Sequence, residues 1–200
     1  MAITRIQEAY ITIGTPVEID AAVNSIREAL ALLPWVSHPY LIAQRFVHKS
    51  ANGKSYLLPE VYSRRPTDTT KRYSYKPLTP DNDFTGMFFA YVDDGEAKTN
   101  DYGSNYITYK VAFIFMVNLK LIDSVKLNNG LFTRELMSEA RKVINKSSLG
   151  LGFESKIIRE SNDLKKVFRE FNLEDAEAYN RAPLQCFRFD LYITIQEDCI

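Results

Sequence analysis

Residues 106–122 read Tyr-Ile-Thr-Tyr-Lys-Val-Ala-Phe-Ile-Phe-Met-Val-Asn-Leu-Lys-Leu-Ile, and the alternation within them decides the fold. Ile107, Tyr109, Val111, Phe113, Phe115, Val117, Leu119 and Leu121 fall on one face of an extended chain. The other face is apolar only in its middle, at Ala112, Ile114 and Met116, with Thr108, Lys110, Asn118 and Lys120 outside. Side chains alternate sides along a strand, so this pattern predicts one very long strand, buried on both faces at its centre and overhanging at both ends. At about 3.3 Å per residue the run would reach roughly 55 Å, about three times an ordinary strand. Such a strand is expected to project beyond its own core and to meet a partner.

Working outward, Met87–Val92 reads as a strand that enters an acidic, turn-rich segment (Asp93, Asp94, Gly95, Glu96, Asp101, Gly103) and then the long strand, which makes an antiparallel pair with a solvated tip. Earlier in the chain, Thr15, Pro16 and Glu18 supply a capping box and a first-turn proline for a helix whose stripe is Ile19, Ala22, Val23, Ile26, Ala29, Leu30 and Leu33, ended by Pro34. Strands at Tyr40–Lys49 and Ser55–Tyr62 are joined through Asn52-Gly53, which tolerates the positive φ of a tight hairpin. From Ser63 to Thr85 periodicity is lost and Pro66, Pro77 and Pro80 accumulate, predicting a long irregular connection.

Past Asn128-Asn129-Gly130, Leu136, Met137, Ala140, Val143 and Ile144 define a helix over Thr133–Asn145. A strand near Glu154–Arg159, a short helix opened by Ser161 or Asn162 with Leu164, Val167, Phe168 and Phe171 on one face, and a last strand over Cys186–Gln196 complete the chain. The expected fold is one α+β domain spanning residues 1–200, with a largely antiparallel sheet, a long β-hairpin and two main helices on one face.

Composition bounds the function. The 200 residues are 46% hydrophobic and 25% charged, enough to bury a core. Lys plus Arg equals Asp plus Glu, 25 each, so no global field recruits nucleic acid or an anionic membrane. Met1–Tyr10 carries Arg5, Gln7 and Glu8 and lacks a signal-peptide pattern. The apolar run Val111–Val117 is far short of the roughly twenty residues of a membrane helix. Cys186 and Cys199 lie on or beside one extended segment, about 40 Å apart if stretched, whereas a disulfide needs Cα atoms within about 7 Å. Both are expected as reduced thiols in a cytosolic setting.

Catalytic constellations are sparse. Asn52-Gly53-Lys54-Ser55 ends like a phosphate-binding loop but has His48 where the motif requires its first glycine, and Gly150-Leu151-Gly152 follows a helix and lacks the third glycine of a dinucleotide fingerprint. His38 and His48 have no ligand-type residue at a metal spacing; a turn before Pro39 and a strand surface account for them. The acidic cluster misses the ordered oxygens of an EF-hand. No nucleophile–base arrangement is defensible, so the chain reads as a non-enzyme without cofactor or metal.

Two charged surfaces remain. Arg64, Arg65, Lys71, Arg72 and Lys76 interleave with Tyr62, Tyr73 and Tyr75, a mixture that serves a protein interface, a single-stranded nucleic-acid surface over residues 62–76, or a solvated loop. Asp93, Asp94, Glu96 and Asp101 offer the opposite charge, and head-to-tail ring assembly would join the two.

In its order of elements, carried by the helix Ile19–Leu33, the hairpin ending in Tyr106–Ile122, the helix Thr133–Asn145 and the terminal Pro183-Leu184-Gln185-Cys186-Phe187-Arg188-Phe189-Asp190-Leu191-Tyr192-Ile193, the chain resembles the tail-terminator and neck (head-to-tail connector) proteins of tailed bacteriophages, especially forms expected in phages of Bacteroidetes-type bacteria. The resemblance implies a virion protein without catalysis that forms a homo-oligomeric ring against portal, connector or tail proteins, any DNA contact being non-specific and to a passing duplex. The overhangs around 106–110 and 118–122 and the connection 63–85 would then touch neighbouring subunits.

Overall fold

The computed structural model describes residues 18–49, 52–64, 73–78, 84–99, 105–147, 152–173 and 181–196. In chain order the elements are α1 (Glu18–Ala31), β1 (His38–Ile42), β2 (Gln44–Lys49), β3 (Ser55–Arg64), β4 (Tyr73–Pro77), β5 (Gly86–Thr99), β6 (Asn105–Asn118), α2 (Leu119–Ile122), α3 (Phe132–Ser147), β7 (Phe153–Ser161), α4 (Leu164–Val167) and β8 (Leu184–Gln196). A five-stranded sheet runs β1-β5-β6-β8-β7, antiparallel except where β1 lies parallel to β5, and a three-stranded antiparallel sheet runs β2-β3-β4. The fold is therefore α+β, as its sequence predicts.

The alternation of β6 sorts two cores. Val111, Phe113, Phe115 and Val117 join Phe187, Phe189, Leu191 and Ile193 of β8 beneath α1 (Ala22, Val23, Ile26, Leu30) and α3 (Leu136, Met137, Ala140, Ile144). Phe115 stacks on Phe187 with centroids 4.7 Å apart. Ala112, Ile114 and Met116 face the other way, onto Val61 of the small sheet and Val167, Phe168 and Phe171 around α4. The central strands are thus covered on both sides, which is why they tolerate apolar residues on both. Trp35 ties the exit of α1 to α3 by donating its indole N–H to Glu139, 2.8 Å away.

Several expectations need correction. The strand expected over 106–122 stops at Asn118, which is 4% exposed: its side chain accepts from the Leu121 amide and turns the chain into the single helical turn α2. A short polar side chain offered the backbone a local partner and won over alternation. There is no overhang at 118–122. The strand expected over 40–49 is two strands in two sheets: the buried Ala43 donates its N–H to the Ala90 carbonyl at 2.8 Å and the chain then leaves the large sheet. The connection 63–85 is not wholly irregular, since it contains β4 and the end of β3, which pair from Glu60↔Pro77 to Arg64↔Tyr73.

The acidic segment is strand through residue 99, and its remaining members, Asp101 and Gly103, lie outside the described residues. β5 continues through it to Thr99, with a bulge between Val92 and Gly95. Gly95 is required there because an added Cβ would sit 2.6 Å from the Tyr109 ring. The short helix α4 is capped by Asp163, whose side chain accepts from the Lys165 amide, rather than opened by Ser161 or Asn162. His38 lies in β1 against the Ser37 hydroxyl instead of in a turn. The Asn52-Gly53 hairpin is as expected, with β2 and β3 antiparallel and Gly53 at φ +80°. The proposed cap at Thr15 and Pro16 and the thiol of Cys199 lie outside the described residues.

Candidate functional site

The coverage of the large sheet ends before its strands do. Along β6, residues 111–118 are all buried, whereas 105–110 are exposed or half-buried. Over this outer half one face still borders the helix-side core through Tyr109, Ile195 and Phe153. The opposite face opens into a groove of about 300 Å³. Register builds its lining in two rows. Glu96, Thr108, Thr194 and Glu154 stand opposite one another across β5, β6, β8 and β7, and Lys110, Tyr192 and Lys156 form the adjacent row. The Thr108 and Thr194 hydroxyls are 3.0 Å apart. Two carboxylates, two ammonium groups and three hydroxyls on a rigid sheet suit hydrogen bonding and ion pairing with a polar surface.

Only part of the basic-aromatic candidate can be placed. Tyr62 and Tyr75 stand opposite each other across β3 and β4, their rings 5.1 Å apart and 38% and 48% exposed. Arg64 and Tyr73 pair through their backbones at the end of the same ladder. Arg65, Lys71, Arg72 and Asp101 lie outside the described residues. Asp93 and Glu96 are exposed on β5, where Asp94 also falls, and Glu96 joins the groove.

Sequence reasoning missed three features. The first is most of the groove, because Lys110, Glu154, Lys156 and Tyr192 look like ordinary solvated strand positions until register aligns them. The second is His48, whose Nε2 lies 2.6 Å from Oε1 of the buried Glu60, with the exposed Phe46 ring 5.7 Å from the imidazole. The third is a buried charge network on the face of β8 that alternation marks as polar. Arg188, 2% exposed, donates to Asp190 at 2.5 Å, to Glu170 at 2.7 Å through one terminal nitrogen and again through the other, and to the Val167 carbonyl at 3.1 Å. Arg169 adds two 3.2 Å contacts to Asp190 and one of 2.8 Å to Glu170. A charged pair within an otherwise apolar strand was the available signal.

This network fastens α4 to β8. Burial acts to raise the Glu170 pKa, but the guanidinium groups of Arg188 and Arg169 outweigh it and hold the carboxyl below its ordinary value. Burial pushes the pKa of the Cys186 thiol well up, so it is an inert core side chain. Among the described residues no group of three or more His, Cys, Asp and Glu side chains is placed to share a metal ion, and no described helix is long and apolar enough to cross a membrane. A scan against protein-family profiles and a search of curated proteins find no match to this chain.

Proposed function

We propose that this chain is a non-enzymatic structural subunit that assembles into a homo-oligomeric ring in the neck or tail of a tailed bacteriophage, as its family resemblance implies. One observation carries the assembly reading. On one face, the outer half of a four-stranded platform, β5-β6-β8-β7, runs past the layer that covers its inner half and presents charges of both signs. A polar sheet end left open on one face is suited to reach a neighbouring subunit. Native mass spectrometry and negative-stain electron microscopy of the purified protein test this: closed particles of uniform copy number are expected. A monomer at every concentration, together with absence from virions, would refute it.

A second reading, single-stranded nucleic-acid binding over residues 62–76, is supported by the exposed Tyr62–Tyr75 ring pair. It requires salt-sensitive binding of an oligonucleotide that Tyr62→Ala and Tyr75→Ala both weaken; a flat titration at low salt removes it.

A further inference from the structure

We infer that the outer edge of β7 is a two-fold contact with a second copy of this chain, formed by antiparallel pairing of residues 153–157 with themselves. β7 is the terminal strand of the large sheet, hydrogen-bonded to β8 on one side and to no described strand on the other. Such an edge presents backbone donors and acceptors that template another strand.

The residues on it specify the partner and the register. A two-fold axis perpendicular to the sheet keeps each face on its own side, so a residue can stand opposite only residues of the same face. Centred on Ser155, the pairing sets Glu154 against Lys156 of the second copy, twice by symmetry, and Phe153 against Ile157, also twice. Shifting the centre to Glu154 would oppose two carboxylates, and shifting it to Lys156 would oppose two ammonium groups. Centring on Ile157 would run the pairing across the bulge that the strand carries between Ile157 and Arg159, which breaks the ladder there. Within the regular part of the strand, ahead of the bulge, charge thus favours the register centred on Ser155 over those centred on its two neighbours.

An independent observation marks the same residue. The Ser155 hydroxyl is buried and has no hydrogen-bond partner among the described residues, a condition native proteins seldom leave standing. The paired register brings Ser155 beside its own copy, at a Cβ separation of roughly 4.5–5.5 Å, where rotation of the side chain out of its buried position would let the two hydroxyls meet. Phe153 and Ile157, already packed against the helix-side core, extend that apolar face across the axis, while Glu154 and Lys156 extend the groove. The contact closes on itself, so it builds no ring; joined to a heterologous ring contact it would set two rings back to back.

Sedimentation of the full chain across a concentration series, alone and with charge variants, tests the inference. Because Glu154 and Lys156 are exposed, substitution leaves the fold in place. Pairwise association, of single chains or of whole rings, is expected, weakened about tenfold or more by Lys156→Glu and restored by adding Glu154→Lys, which recreates the pairs in reverse. With Cys199→Ser as background, Ser155→Cys is expected to give a covalent dimer under oxidised glutathione, two thiols losing two electrons to the glutathione disulfide. A strict monomer without that cross-link, or association that Lys156→Glu leaves unchanged, would overturn the contact. Large rings indifferent to both variants would overturn it while leaving the ring reading intact; a dimer that never grows further would do the reverse.

Discussion

Replacing Arg188 by Met removes one guanidinium from between two carboxylates that the fold has already taken out of water. In the native arrangement Arg188 and Arg169 face Glu170 and Asp190, two charges against two. The substitution leaves Asp190, 6% exposed, and the half-buried Glu170 to share Arg169, whose own side chain is 42% exposed and so screened by solvent. It also strips the Val167 carbonyl of its guanidinium donor. Breaking a buried pair by deleting one partner costs about 3–5 kcal/mol, chiefly because the stranded charge stays desolvated. For a chain of this size that corresponds to a fall in Tm of roughly 6–20 °C. Urea unfolding followed by far-UV circular dichroism reads the loss directly. The triple change Arg188→Met, Glu170→Leu, Asp190→Leu is expected to recover most of it, because well-packed apolar residues replace a buried network at little net cost and Arg169 can turn to solvent. A loss below about 1 kcal/mol for Arg188→Met, or a triple variant less stable than the single one, would refute the account of stranded charge.

The same network sets a pH dependence. Because the Glu170 pKa is lower folded than its ordinary 4.5, the unfolded chain binds the extra proton first; the stabilisation is complete above that value and is lost as pH falls through the depressed folded value. Urea midpoints measured from pH 7 down to pH 3 should therefore fall less steeply in Glu170→Gln than in the parent chain, and parallel slopes would contradict this. In the aromatic core, Phe115→Ala removes a fully buried ring stacked on Phe187 and touching Trp35, for an expected loss of about 3–5 kcal/mol by the same assay. A loss near 1 kcal/mol would mean that the site collapses around the vacancy.

How much of this was legible in the chain depends on the range of the interaction. The period-two pattern of Val111–Val117 announced both a strand and its two buried faces, because alternation is a property of one strand alone. The stripe of α1, the face of α3 and the Asn52-Gly53 hairpin were equally readable, being set by spacings of a few residues and by the φ angle that Gly53 adopts. Local signals failed where two of them competed. Apolar alternation runs on through Leu119 and Leu121, yet the Asn118 side chain and its buried amide, which donates to the Thr85 carbonyl, end the strand.

What the sequence by itself determined is most of the elements, though not β4 or α2, and which side of each is apolar. The tertiary structure alone decided that residues 38–49 divide between two sheets, that Arg188 and Asp190 lie beneath α4 instead of in solvent, and that Glu96, Lys110, Glu154, Lys156 and Tyr192 share one groove. Each of these depends on register between strands distant in the chain. A single strand states which residues share its face; only its neighbours determine what stands opposite them.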